Sequence, residues 1–202
     1  MENNCKFVLE IAIFMKKTLC TTLALLALSS VSFAQKTTTK VVKKTPTEAP
    51  LNDKEINWLT IDEVQEKMKK NPKKVYIDVY TGWCGWCKVM DKKTFTNPGV
   101  ISYINKNFYA VKFDAEQVDS VHFMGAHYGL EGRTNQFAVQ LLRGQLSYPT
   151  TVIMEENFQN PQIIPGYQDV KAIEPILKYL GDNHYKSTPW DEYSKAAKVT
   201  WE

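Results

Sequence analysis

The sequence predicts an α/β domain in which helices cover both faces of a central mixed β-sheet. Segments rich in β-branched and aromatic residues alternate along the chain with segments whose apolar residues recur at helical spacing. Proline and glycine turn signals separate these segments. The chain has 202 residues, of which 44% are hydrophobic and 23% charged, which is enough for one core domain with extensions. Such an alternation of strands and helices is typical of a helix-covered sheet.

The charge and composition exclude several functional classes. The formal net charge is only +3 and no long run of Lys or Arg accompanies it, so we expect no nucleic-acid partner. Nine glycines and nine prolines are too few for a collagen-like or low-complexity chain. An apolar N-terminal region and four cysteines leave a membrane-associated protein and a redox protein open.

The N-terminal region has the layout of a secretory signal peptide. After Met15, two lysines precede a short apolar run, and a small-residue cleavage signal ends at Ala34. The apolar run is shorter than the about 20 residues that a transmembrane helix needs. We therefore predict a signal peptide over residues 1–34, with translation starting at either Met1 or Met15, and a periplasmic or secreted product. The alternative is an uncleaved anchor that begins at Phe7.

Residues 35–54 are polar and basic, and they predict a flexible linker ahead of a folded domain over residues 55–202. Signal cleavage removes two of the four cysteines and leaves one closely spaced pair, Cys84 and Cys87. An exported chain with a single cysteine pair is not a disulfide-stapled scaffold.

Periodicity and turn signals predict the elements of this domain in order. A capping box at Thr60–Glu63 starts the first helix, and Asn71-Pro72 ends it. The rest of the first half comprises a strand over Val75–Tyr80, a helix from Cys84 to about Thr94, a helix opened by Asn97-Pro98, and a strand over Phe108–Phe113. The second half comprises a helix over Asn135–Leu142, a strand over Thr151–Met154, its antiparallel partner over Gln162–Ile164, and a helix over Asp169–Leu180.

Three features of the second half interrupt this regular pattern. Residues 117–147, which include His122 and His127, form an insertion before the strand at Thr151. Pro175 is expected to kink the last predicted helix or to mark its late start. An aromatic extension over residues 186–202 is expected to fold back on the domain.

Cys84 and Cys87 stand where a strand and a turn lead into a helix. Backbone N–H groups at a helix start have no partner within the helix and carry a positive partial charge, which favours a thiolate. We expect the pKa of Cys84 to lie within the range of about 3.5–7.5 that such sites show. Cys87, one turn further along, is placed to attack a mixed disulfide on Cys84. An inert structural disulfide is the alternative, although so short a loop gives little entropic stabilisation.

Asp78 lies six residues before Cys84 on an apolar strand. A buried carboxylate there has a raised pKa and can take the proton of Cys87 through a water molecule. Lys112, on the neighbouring predicted strand, is a candidate to lie beside Asp78 and tune that pKa. The alternatives are that Asp78 is exposed at a sheet edge and that Lys112 is a solvated strand residue.

These residues resemble the active-site region of the thioredoxin family, and the resemblance covers roughly residues 60–184. Its most specific part is Trp83-Cys84-Gly85-Trp86-Cys87-Lys88. Asp78 stands where the family has its buried acid, and Lys112 where it has the partner lysine. Tyr148-Pro149-Thr150 is similar to the cis-proline loop of the family. Pro165-Gly166-Tyr167 is similar to its glycine turn before the last helix.

The resemblance implies a thioredoxin-like fold with a redox-active Cys84–Cys87 disulfide. It also implies a cis peptide bond at Pro149, which presents a backbone edge to a substrate peptide and blocks metal capture by the cysteines. The residues expected to bind substrate are Trp83, Trp86, Tyr148, Pro149 and Thr150. Of the two tryptophans, we expect Trp83 to pack at least partly in the core and Trp86 to point outward as part of an apolar docking surface.

Two departures from the family pattern affect this prediction. Trp86 stands where the most reducing thioredoxins have proline, and the segment 117–147 is longer than in a minimal thioredoxin. The paired tryptophans look most like exported bacterial thioredoxin-like proteins related to the periplasmic end of the transmembrane thiol-reducing system.

We interpret the chain as an exported thiol–disulfide oxidoreductase that reduces protein disulfides, with Cys84 as nucleophile, Cys87 as resolving thiol and Asp78 and Lys112 as catalytic support. Its expected partners are protein thiol or disulfide substrates and a membrane or periplasmic thiol electron donor. Disulfide oxidase or isomerase activity and a non-catalytic binding module in an envelope assembly remain alternatives. We expect no cofactor and no metal, because a structural zinc site needs about four ligands and the spacing of His122 and His127 does not suit one helical face.

Overall fold

A mixed five-stranded β-sheet forms the centre of the domain in a computed structural model, which describes residues 54–201. The predicted signal peptide and nearly all of the predicted linker lie outside the described residues. The strand order is β1-β3-β2-β8-β9. The strands of this sheet are β1 (Trp58–Leu59), β2 (Lys74–Tyr80), β3 (Phe108–Asp114), β8 (Thr150–Met154) and β9 (Gln162–Pro165).

The direction of each strand pairing determines which residues lie side by side. β3 runs parallel to both β1 and β2, whereas β8 is antiparallel to β2 and to β9. The parallel register places Asp78 of β2 directly opposite Lys112 of β3. Every residue of β2 except Tyr80 is buried, because helices cover both faces of the sheet there.

The helices of the described residues are α1 (Ile61–Lys70), α2 (Gly85–Lys93), α3 (Pro98–Asn107), α4 (Gln136–Leu141), α5 (Val170–Gly181) and α6 (Trp190–Ala196). Short 3-10 turns lie at Glu156–Phe158 and His184–Lys186. None of these helices combines the length and apolar character that a membrane crossing requires.

The predicted helices and strands are confirmed to within one or two residues at most boundaries. The capping box is present, since the Glu63 carboxylate accepts from the Thr60 N–H and the Thr60 hydroxyl accepts from the Glu63 N–H. Pro175 does not mark a late start, because α5 already begins at Val170 and contains the proline in its interior.

The insertion holds two hairpins that the sequence did not predict, in addition to the expected helix α4. Their strands are β4 (Val121–Phe123), β5 (Ala126–Tyr128), β6 (Leu130–Glu131) and β7 (Thr134–Asn135). Strands this short carry too few residues for an alternating pattern. The first hairpin is held against α1 by Gln65, whose side chain donates to the His122 carbonyl and accepts from the Met124 N–H.

Two clusters of buried apolar side chains pack the domain. One contains Phe113 and Phe137 and joins β2, β3 and β8 to α1, α4 and the insertion. The other contains Tyr76 and Ile173 and joins the sheet to α2, α3 and α5. The helix α2, which follows Cys84 and contains Cys87, is anchored in the second cluster through the fully buried Met90.

The C-terminal extension folds back on the domain, as predicted, through a segment that we call the C-terminal strap, residues 197–201. The buried carboxylate of Glu174 on α5 accepts hydrogen bonds from the backbone N–H groups of Thr200 and Trp201 and pairs with the Lys178 ammonium. The Trp201 ring packs against Gly99, where a Cβ would lie only 2.5 Å from it. Burial alone would raise the pKa of Glu174, but these partners outweigh burial and lower it to about 2.

We expect Glu174→Gln to lower the free energy of unfolding by about 2 kcal/mol at pH 7, because charge-assisted bonds to the strap are lost. A carboxyl whose folded-state pKa is lowered stabilises the fold fully above its ordinary value of 4.5 and loses that contribution as the pH falls through about 2. Urea unfolding followed by tryptophan fluorescence measures the difference, with the exposed Glu192→Gln as control. A deficit of equal size at pH 7 and at about pH 2 would contradict this assignment.

Candidate dithiol active site

The two cysteines of the predicted motif lie at the start of α2, directly after the turn that follows β2. Cys84 is the N-cap residue, with an extended backbone, and its N–H donates to the Thr81 carbonyl at 3.1 Å. Cys84 and Cys87 form a disulfide, with their Cα atoms 5.3 Å apart. The Cys87 N–H donates to the Cys84 Sγ at 3.1 Å. The first turn of the helix therefore directs a backbone donor at the sulfur of Cys84.

The tryptophans that flank the disulfide are far more exposed than the sulfurs. Trp83 and Trp86 each expose 61% of their surface, whereas Cys84 and Cys87 expose 4% and 3%. The expected core packing of Trp83 is wrong, because the turn after β2 carries this side chain outward. Trp86 points outward, as predicted. Two largely exposed apolar rings therefore stand next to the shielded cysteines in the sequence.

Each exposed tryptophan contacts a tyrosine from a neighbouring loop. The Trp83 ring meets Tyr148 nearly edge-on, with centroids 6.1 Å apart, and the Trp86 ring lies 5.2 Å from Tyr167. A groove of about 320 Å³ opens beside Trp86. Its lining residues are Trp86, Tyr148, Pro149, Gly166 and Tyr167. This groove has the size and apolar walls to receive a side chain of a docked peptide.

The loop before β8 forms one wall of the groove. The Tyr148–Pro149 peptide bond is cis, as the resemblance implied, and the Pro149 carbonyl accepts from the Gly166 N–H at 2.8 Å. Thr150, which the sequence placed among the substrate-binding residues, is buried, and its hydroxyl donates to the Ser147 carbonyl. Its side chain therefore supports the loop and does not line the groove.

Asp78 is buried in the middle of the sheet, where the sequence predicted it. Its side chain is 2% exposed, and its Oδ2 lies 3.3 Å from the Lys112 Nζ. Its Oδ1 has no hydrogen-bond partner among the described residues. Burial raises the pKa of Asp78 from 3.8 to about 6, although the Lys112 charge partly opposes that rise. A carboxylate with such a pKa can accept a proton near neutral pH.

Lys112 is not the solvated strand residue of the alternative interpretation. Its ammonium lies between two carboxylates, since it also donates to Asp91 of α2. Sequence reasoning missed Asp91. The only available signal was its spacing, four residues after Cys87, which places it one helical turn from that cysteine.

The histidines of the insertion lie on the strands of the hairpin β4–β5 and not on a helix. His122 and His127 face each other across the two strands, with ring centroids 4.8 Å apart. Within residues 54–201, no three side chains of His, Cys, Asp or Glu come together as a metal-binding group.

Comparison with known proteins identifies the family. Residues 43–168 match the family Thioredox_DsbH, which is described as a protein of unknown function, DUF255. The chain belongs to this family. The matched range includes both cysteines, Asp78, Lys112 and the cis-proline loop.

Two curated relatives and one solved structure add to this assignment. The chain is 38% identical over 55 residues to an uncharacterized protein of Caenorhabditis elegans and 33% identical over 63 residues to spermatogenesis-associated protein 20 of Rattus norvegicus. These segments are 27% and 30% of this chain but only 8% of each relative, so the chain spans a small part of their length. A thioredoxin-fold protein from Helicobacter pylori superposes with a TM-score of 0.51 over 73% of this chain and 89% of its own, at 17% identity. That likeness establishes the thioredoxin-like fold.

We expect Asp78→Leu to raise the free energy of unfolding of the oxidised protein by about 1–3 kcal/mol at pH 8. An acid whose folded-state pKa is raised stabilises the fold fully below its ordinary value of 3.8, and this contribution is lost as the pH rises through about 6. The gain in the variant therefore develops between those two pH values. Guanidinium unfolding at pH 3.5 and pH 8 measures it. The same gain at both pH values would contradict a buried, ionisable Asp78.

Proposed function

We propose that this protein is an exported thiol–disulfide oxidoreductase that reduces disulfides in protein substrates through Cys84 and Cys87. The observation that carries the proposal is that the domain holds both a disulfide at a helix start and a buried carboxylate, Asp78, one oxygen of which has no hydrogen-bond partner among residues 54–201. The predicted signal peptide at residues 1–34 supports export. The thioredoxin-like family supports thiol–disulfide chemistry in general.

The chemistry begins with the reduced pair. The Cys84 thiolate attacks one sulfur of a substrate disulfide, so that a Cys84–substrate bond forms, the substrate bond breaks and one substrate thiolate leaves. The Cys87 thiolate then attacks Sγ of Cys84, which forms the Cys84–Cys87 disulfide and releases the second substrate thiolate. The substrate gains the two electrons that the cysteine pair loses, and a thiol electron donor reduces the pair again.

Asp78 serves the second attack as general base. Cys87 must lose a proton before it can attack, and in our proposal the Asp78 carboxylate receives that proton, directly or through water. The raised pKa of Asp78, which burial causes, gives this carboxylate enough basicity for the transfer. Lys112 limits the rise, so that Asp78 is ionised at neutral pH.

The exposed aromatic rings form the substrate-docking surface in this proposal. Trp83 and Trp86 are exposed and neighbour the cysteines in the sequence, and Tyr148 and Pro149 line the groove together with Trp86. Apolar side chains near a substrate disulfide would cover these rings on docking and bury apolar area. The groove thus favours extended, apolar segments of unfolded or flexible proteins.

Removal of the first sulfur is the most direct test of the proposed function. We expect Cys84→Ser to reduce dithiothreitol-coupled insulin reduction to the uncatalysed background, because the attacking thiolate is absent. Cys87→Ala is expected to retain the first attack and to accumulate a mixed disulfide with substrate that dithiothreitol releases. Mass spectrometry of the trapped adduct identifies the attached protein, and the double variant Cys84→Ser/Cys87→Ala is the matched control. Wild-type activity in Cys84→Ser would remove the oxidoreductase function and favour a binding module.

The exposed tryptophan next to the groove supplies a second test. We expect Trp86→Ala to lower kcat/KM for protein disulfides by about tenfold or more, because a buried contact with the docked peptide is lost. The rate with a small disulfide such as hydroxyethyl disulfide should stay unchanged, since it contacts only the sulfurs. Trp190→Ala, which removes a partly exposed tryptophan outside the groove, is the control. Equal losses on protein and small disulfides would contradict docking at Trp86.

Oxidase or isomerase activity is the competing function of the same site. A reduction potential distinguishes these functions, because thioredoxin has a potential of about −270 mV and a strong oxidase about −120 mV. A potential near the lower value is expected for this protein, and one near the higher value would reverse the proposed direction of electron flow.

A further inference from the structure

We propose that Asp91 is a positioning residue that draws the Lys112 ammonium partly away from Asp78, so that Asp78 keeps the capacity to accept a proton. This proposal rests on the function proposed above and extends it to a residue outside the cysteine motif. Asp91 contacts neither sulfur in our scheme and acts only through Lys112 and Asp78.

The first support is the geometry of the shared cation. Lys112 donates a hydrogen bond to the Asp91 Oδ1, and its ammonium also lies 3.3 Å from the Asp78 Oδ2. The ammonium is thus shared between the carboxylate on α2 and the one beside it in the sheet. Without Asp91, Asp78 would be the only carboxylate that pairs with Lys112 among the described residues.

The second support is the confinement of the ammonium by aromatic rings. The Lys112 Nζ lies 5.3 Å from the Trp58 ring centroid, 5.0 Å from Tyr80 and 5.3 Å from Phe95. These rings favour a cation at this place and limit where the side chain can move. Loss of Asp91 would therefore leave the Lys112 ammonium among the same three rings, where Asp78 would be its remaining carboxylate partner in the described part of the chain.

The third support is the difference in solvent exposure of the two carboxylates. The Asp91 side chain is 40% exposed, whereas that of Asp78 is 2% exposed. A unit charge acts more strongly on a buried group than on a solvated one. A small displacement of the ammonium towards Asp78 would therefore stabilise the Asp78 anion strongly and weaken it as a base.

Among residues 54–201, the charged groups that act on Asp78 are Lys112 and Asp91. Lys112 of β3 opposes the pKa rise that burial causes, and the negative charge of Asp91 of α2 adds to that rise. Tyr76 and Tyr80, on the same strand as Asp78, have pKa values raised by burial and stay neutral. Thr151, opposite Asp78 on β8, does not titrate and hydrogen-bonds to Tyr76. Cys87 of α2 is the proton donor of the proposed reaction.

The test follows the Asp78 carboxyl directly, by carbon-13 NMR titration of the full oxidised protein. We expect Asp91→Asn to shift the Asp78 midpoint downward by about one pH unit, since Lys112 then pairs with Asp78 alone. Asp91→Glu should restore the midpoint. Asp119→Asn, which removes an exposed carboxylate of the insertion with the same change of net charge, should leave it in place.

A double-variant cycle tests the route through the lysine. In the Lys112→Met background, Asp91→Asn should shift the Asp78 midpoint by less than half as much, because no shared cation remains to redistribute. An equal shift in both backgrounds would overturn the positioning role, since Asp91 would then act through space alone. No shift with Lys112 present would overturn it as well.

The pH profile of insulin reduction links this effect to turnover. A lower Asp78 midpoint keeps the base ionised at lower pH. The acid side of the pH–rate profile of Asp91→Asn should therefore shift to lower pH by the same number of pH units as the NMR midpoint. Its plateau above pH 7 should fall about threefold, because a weaker base transfers the proton less well. A shifted NMR midpoint in a protein without redox activity would leave the positioning role intact and overturn only the proposed function.

Discussion

The burial of one carboxylate within the sheet is the constraint on which the site depends. Asp78 stands in a strand covered on both faces, where an isolated charge is costly, and the parallel register with β3 brings Lys112 beside it. The lysine satisfies one oxygen, and no other group in the part of the chain that the structure describes hydrogen-bonds to the second. Burial in this state lowers the free energy of unfolding at neutral pH but raises the pKa of the carboxyl, as a general acid or base near pH 7 requires.

In the proposed function, the same part of the fold separates recognition from chemistry. The turn after β2 and the first turn of α2 leave the two sulfurs buried and the Trp83 and Trp86 rings exposed. A partner that docks on the rings would also shield the disulfide from water and strengthen the electrostatic interactions beneath it. Specificity and reactivity can therefore change independently, since the rings belong to the turn and the first helical turn, whereas Asp78 belongs to the sheet.

Sequence reasoning predicted the main elements because their signals are local. The capping box at Thr60 and the apolar strand around Asp78 can each be predicted from a few neighbouring residues. The short hairpins of the insertion escaped prediction because their strands have only two or three residues, and the outward position of Trp83 escaped because the sequence does not specify the direction of the turn after β2. Asp91 escaped for a related reason: on its helix it is one polar residue among several, and only the fold brings Lys112 to it.

The two edge strands of the main sheet, β1 and β9, are both short. β1 contributes only two residues, and β9 contributes four and ends in Pro165, which has no N–H to offer a neighbouring strand. A long, exposed edge strand would allow strand pairing between copies of the chain, whereas short edge strands disfavour it. The fold can therefore keep the Trp83 and Trp86 rings in solvent while its sheet edges offer little backbone for pairing with a second copy of the chain.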